Sequence, residues 1–153
     1  MANPDTPNGA SLFRCDLPSI PTKSEILKNG VTIAKGDFLI VGTDGFLTIA
    51  VAASPDLYGV ANYAATGDGS TKILYTPALP GLTWEMQCSG TGAQTDIGEA
   101  VDLEGTTGIM EINEDANSTK VLKIIEKHPD SAYGANTRFI VAVNKSGWVS
   151  ASA

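Results

Sequence analysis

The sequence predicts an all-β fold: a small β-barrel or sandwich body behind an extended, proline-rich N-terminal arm. Three observations carry this. The 153-residue chain is punctuated throughout by 16 glycines and 8 prolines, which favour turns over long helices. Short apolar or alternating runs recur roughly every ten residues with turn chemistry between them, the spacing of a sandwich or small barrel. No long window carries a clean helical stripe. With 42% hydrophobic and 18% charged residues the chain has the apolar content for one packed domain and is too apolar for a disordered one.

Residues 1–23 form the arm and residues 24–153 the body. Pro4, Pro7, Pro18 and Pro21 are half of the 8 prolines. Proline fixes φ and lacks an N–H, so neither a helix nor a central strand suits this stretch. Leu12, Phe13 and Leu17 give it something to bury. An arm with so few apolar groups has little reason to order itself. An extended arm can instead add a strand to the sheet edge of another protein, and several arms on one oligomer multiply that affinity.

The body reads as strands and turns in order. Asn29-Gly30 is a tight-turn signal between Ile26-Leu27 and Val31–Ile33. Lys35-Gly36-Asp37 is a second turn, and Phe38–Val41 a short apolar run. Gly42–Gly45 turns the chain into Phe46–Val51, and Ser54-Pro55-Asp56 breaks that strand. Leu57–Tyr63 is a strand containing Gly59, and Gly67–Ser70 is a loop. Lys72–Thr76 alternates, with Ile73 and Tyr75 suited to a pleated surface. In Leu82–Cys88 the period of two is clearest: Leu82, Trp84, Met86 and Cys88 share one face, which turns Trp84 inward. Residues 89–107 are loop-rich, with a brief strand at Val101 and Leu103. Ile109, Met110 and Ile112 mark another, and Val121–Ile125 and Arg138–Val143 close the set around a long connection, His128–Thr137. Gly36, Asp37, Gly45, Gly59, Trp84, Tyr133 and Gly134 are the expected structural positions.

Charge and reactive groups narrow the function. Lys+Arg is 10 against Asp+Glu 17, a net charge of -7. Nucleic-acid binding and attraction to anionic membranes both call for basic clusters, so neither partner is expected. No basic-then-apolar leader and no long apolar span is visible, which points to a soluble chain made in a cytoplasm. Cys15 and Cys88 are expected to be free thiols in such a compartment, although one bridge between them is open. Between Ile73 and Thr119 there is no Lys or Arg, while eight acids fall there. The reading is a solvated acidic face, with a divalent-cation site or a basic partner as the sharper alternative.

Catalytic signatures are scarce. His128-Pro129-Asp130 matches a cochaperone tripeptide, but its flanks are β-like rather than helical. His128 has no evident nucleophile, and there is no Gly-x-Ser-x-Gly elbow. One histidine is too few for an ordinary transition-metal site. Gly90-Thr91-Gly92 and Gly67–Lys72 lack the order and the following helix of phosphate loops. Asn113–Asn117 is rich in oxygen ligands but lacks EF-hand spacing. The expectation is a non-enzyme without cofactor or metal.

The turn pattern resembles that of small head-decoration (cement) proteins of tailed bacteriophages. The likeness is carried by Val31–Phe38 with its Gly36-Asp37, by Thr43-Asp44-Gly45, and by Leu57-Tyr58-Gly59-Val60-Ala61. Val121–Ile125, Asp130–Asn136, Phe139–Asn144 and the opening Ala2–Gly9 belong to it too. It spans most of the chain at the level of turns, and the stretch 89–119 has no counterpart in it. The resemblance implies a structural virion protein on the outer capsid surface, a homo-trimer that braces neighbouring major capsid protein subunits. It implies an arm that orders on the shell, with Asn3, Pro4, Thr6, Pro7, Asn8, Leu12 and Phe13 as the capsid-binding residues. The alternatives are another phage part, such as a tail tube or head fibre, and a carbohydrate-binding β-sandwich. The last would need exposed aromatics among Tyr58, Tyr63, Tyr75, Trp84, Tyr133 and Trp148.

Overall fold

The computed structural model describes residues 2–148. Its strands are β1 Ser11–Cys15, β2 Lys23–Ile26, β3 Thr32–Ile33, β4 Phe38–Val41, β5 Leu47–Ile49, β6 Gly59–Ala61, β7 Ala65–Thr66 and β8 Lys72–Pro77. They continue with β9 Leu82–Gln87, β10 Thr91–Gly92, β11 Ala100–Glu104, β12 Glu111–Asn113, β13 Leu122–Lys127, β14 Gly134–Ala135 and β15 Arg138–Val143. One short 3-10 turn, Gln94–Asp96, is the helical element among the described residues. The fold is all-β, as the turn spacing predicts.

Two antiparallel sheets make the body. One has six strands in the order β1-β9-β15-β13-β11-β12, the other five in the order β2-β8-β6-β4-β5. Two short ladders, β3 with β7 and β10 with β14, finish it. Phe38, Leu57 and Val60 from the five-stranded side meet Leu82, Trp84, Met86, Val101, Ile112, Ile124 and Phe139 from the six-stranded side in one core. Trp84 is fully buried and meets Phe38 edge to face, with ring centroids 6.0 Å apart. The alternation of Leu82–Cys88 therefore serves its predicted purpose. Burying an aromatic pair of this size contributes a large share of the layer contact.

The five-stranded sheet carries a second core on its other face: Leu27, Ile33, Leu39, Leu47, Ala61, Ile73 and Tyr75. Phe38 faces one core and Leu39 the other, and Val60 and Ala61 divide the same way. This explains why Phe38–Val41 reads as an unbroken apolar run. A strand covered on both faces has no polar side to alternate with. The sheet also bends back on itself: a parallel bridge joins Leu27 to Leu47, with the Lys28 N–H donating to the Leu47 carbonyl at 2.9 Å. Gly59 fits its place because a side chain there would press into the Tyr75 ring and the Thr76 carbonyl.

Several expectations change. The Asn29-Gly30 turn forms, with Gly30 at φ +81°, but β2 and β3 do not pair across it. β2 pairs with β8 and β3 with β7, so the turn is a corner between ladders. Within the segment 1–23, Ser11–Cys15 is the edge strand of the six-stranded sheet, with Leu12 opposite Trp84. Residues 2–8 precede β1 outside both sheets, the body takes over at Gly9 and Ala10, both buried, and residues 16–22 link β1 to β2. Tyr133, one of the expected structural positions, sits at the surface and is 39% exposed, with its hydroxyl donating to Gln94 Oε1 and its ring tilted on Phe139. Gly134, at φ +135°, and Gly45, at φ +82°, are turn positions with open space where a side chain would stand. The expected free thiols hold: Cys15 and Cys88 are unbridged.

Candidate functional site

The feature with most specific chemistry is the seat of the arm. It lies where β9, β15 and the 128–137 connection meet. Asn3 is its centre. The Asn3 amide donates to the carbonyls of Ala132 (2.8 Å) and Ala135 (2.9 Å). Its Oδ1 accepts from the Ala132 N–H (3.0 Å) and the Ser131 hydroxyl (3.2 Å). All of the donor and acceptor functions of one carboxamide are thereby engaged by a single loop. The loop is braced independently of the arm. Thr137, fully buried, donates its hydroxyl toward the Ala132 and Gly134 carbonyls, and Arg138 N–H donates to Ser131 Oγ.

A second tie follows three residues later. Gln87 accepts from the Thr6 N–H at 2.8 Å and donates from Nε2 to Asp5 (2.9 Å) and Glu111 (2.8 Å). Gln87 lies on the polar face of β9, with Thr83 and Glu85, and is the buried member of that face. Its amide bridges two carboxylates that would otherwise repel. Burial pushes the Glu111 carboxyl above its ordinary range, the Gln87 bond opposes that, and the nearby Asp5, Glu104 and Glu114 charges add to it. Pro4 and Asn8 are exposed and Pro7 half-buried, so residues 2–8 put no apolar side chain into the core. Side-chain bonds alone hold them, since their backbone joins no strand.

Of the arm residues named from sequence, Asn3 and Thr6 meet at the seat, and Asn8 lines a small cavity of about 80 Å³ beneath it with Glu85 and Arg138. Leu12 is half-buried against the main core, a packing role. Phe13 is 40% exposed and stands edge-on to His128. Asp5, Gln87 and Ser131 were not anticipated. Nothing in their local sequence marks them, because their partners lie about 80 to 130 positions away.

The remaining polar clusters hold the chain in place. His128 Nε2 lies 3.3 Å from Glu85, which also pairs with Arg138, and His128 Nδ1 accepts from the Asp130 N–H. No hydroxyl or thiol bonds the His128 ring among the described residues. Asp37 is fully buried; it accepts from the N–H groups of Ala34 and Gly108 and so ties two turns together. Burial raises its pKa, with those two bonds opposing. Asp102 accepts from the N–H groups of Ser118, Thr119 and Lys120 and orders their loop.

The acidic stretch is therefore not uniformly solvated. Asp102 and Glu114 are buried. Glu114 Oε2 accepts from the Gly90 N–H, Oε1 has no hydrogen-bond partner among the described residues, and burial raises the pKa. Burial also pushes the Cys88 thiol up to about 11, with Glu114 adding to the effect. Among the described residues no three His, Cys, Asp or Glu side chains converge as metal ligands. The aromatics do not form one platform. Trp84 and Tyr75 are buried, Tyr58 stacks on Trp148 at 4.4 Å, and Tyr63 accepts from the Leu74 N–H. Among the described residues no helix is long and apolar enough to cross a membrane.

Comparison with family models, with curated proteins and with solved structures gives no match.

Proposed function

We propose that the chain is a structural virion protein that binds the outer surface of a tailed-phage capsid. In this reading it acts as a homo-trimer and braces neighbouring major capsid protein subunits without catalysis or cofactor. The observation that carries the reading is the arm: seven proline-containing residues held to the body only by polar side-chain bonds. Such a segment can leave its seat and meet another surface at small cost, because water replaces each bond it gives up. The resemblance of the turn pattern to decoration proteins supports the same reading, and the net charge of -7 suits a position away from the genome.

The test is direct. Purified protein is added to expanded, undecorated capsids, and binding is followed by co-sedimentation. Saturable, stoichiometric binding and a higher temperature of capsid disruption are expected. A folded protein that does not bind overturns the reading. Removal of residues 1–8 is expected to weaken binding by at least about tenfold; unchanged affinity would remove the arm from the mechanism.

A further inference from the structure

We propose that residues 2–8 exchange between copies of the chain, so that the Ser131–Ala135 loop of one copy receives Asn3 of another. The partner is a second copy, and it contributes a residue to the seat. The inference concerns the arm alone and does not require a capsid.

Four observations carry it. The seat exists without the arm, because Thr137 and the Arg138 N–H brace the loop from within. It matches one side chain closely: two carbonyls, one N–H and one hydroxyl meet the two donors and the acceptor oxygen of Asn3. An arm from any identical copy offers the same amide, so exchange loses none of these bonds. The arm brings no apolar burial that would bind it to its own body.

The fourth observation is the pivot. Gly9 is buried at φ +75°, its N–H donates to the Met110 carbonyl, and a side chain there would collide with the Gly36 carbonyl. The arm therefore swings from a fixed point instead of peeling further into β1. Pro4 and Pro7 keep it extended when it leaves. Released this way it gains little chain entropy, and its seven residues reach at most about 25 Å, enough to bridge adjoining copies.

The experiment uses full-length chain in a Cys15→Ser background, with buried Cys88 retained. Isotopically heavy Ala2→Cys copies are mixed with light Tyr133→Cys copies and treated with a short bismaleimide. Mass spectrometry then reads the heavy–light peptide pair joining positions 2 and 133. We expect that pair to form, to increase with protein concentration, and to fall at least about tenfold when Asn3→Ala is added to the heavy copy. A double Ala2→Cys, Tyr133→Cys chain reports the closed arm. If it crosslinks internally while mixtures give no heavy–light pair, the arm stays at home and the proposal is overturned. A heavy–light pair indifferent to Asn3→Ala overturns it as well, as does the absence of both products. Capsid binding is measured separately, so exchange without capsid binding would fail the functional reading and leave this inference standing.

Discussion

At the scale of single residues, two buried carboxylates pull stability in opposite directions with pH. Asp102 opposes its own burial with bonds from the Lys120, Thr119 and Ser118 N–H groups, and its pKa is lowered in the fold. Its contribution is therefore present above the unfolded value near 4 and is lost as pH falls through the folded value. Glu114 is raised by burial. Its contribution is greatest below the unfolded value and is lost as pH rises through the folded one. Asp102→Ala leaves three loop N–H groups without their acceptor and is expected to cost about 3 kcal/mol at neutral pH, measured by urea unfolding. The difference from the parent should narrow in acid. Glu114→Gln removes a buried charge with one unpartnered oxygen. It is expected to raise the melting temperature at pH 7, with the advantage vanishing below about pH 4. A lower melting temperature at pH 7 would show that the bond Glu114 Oε2 accepts from the Gly90 N–H outweighs the cost of the buried charge.

At the scale of elements, the arm and β1 must be treated separately. Deleting residues 1–8 removes polar bonds at and just below the surface but no apolar core contact, and should leave the denaturation midpoint nearly unchanged. Deleting residues 1–23 strips β1 from β9, where Leu12 lies opposite Trp84, and uncovers one side of the main core. We expect that form to lose several kcal/mol, roughly the burial of two or three apolar side chains, or to fail to fold. Circular dichroism and denaturant titration separate the two. This boundary was hard to read in the sequence. Prolines on both sides hide a five-residue strand, and β1 pairs with β9 about 70 positions later. Shorter but still long separations, 34 positions between Thr32 and Thr66 and 44 between Thr91 and Ala135, hide the two-residue ladders, β3 with β7 and β10 with β14. By contrast β4, β8, β9 and β15 were legible, because their own side chains record which faces are covered. The arm seat was not legible: Asn3 is an ordinary polar residue until the 131–135 loop closes around it.

At the scale of the whole molecule, the two sheets share one core, so they should unfold together. Trp84 and Phe38 join them at the centre. Trp84→Ala is expected to cost about 3–5 kcal/mol and to lower a single cooperative transition seen alike by fluorescence and far-UV dichroism. Two separated transitions would mean that the layers are energetically independent. The bridge between Leu27 and Leu47 has a consequence for crowded solutions. By turning β5 back toward β2 it occupies backbone groups that a neighbouring molecule could otherwise extend. The far edge of the six-stranded sheet is β12, three residues long, opened by Glu111 and already bridged at Ile112 to Cys88, with the Ser89 N–H on the Ile112 carbonyl. Short, charged borders of this kind resist fibril growth, so the folded chain should tolerate high concentration without aggregating.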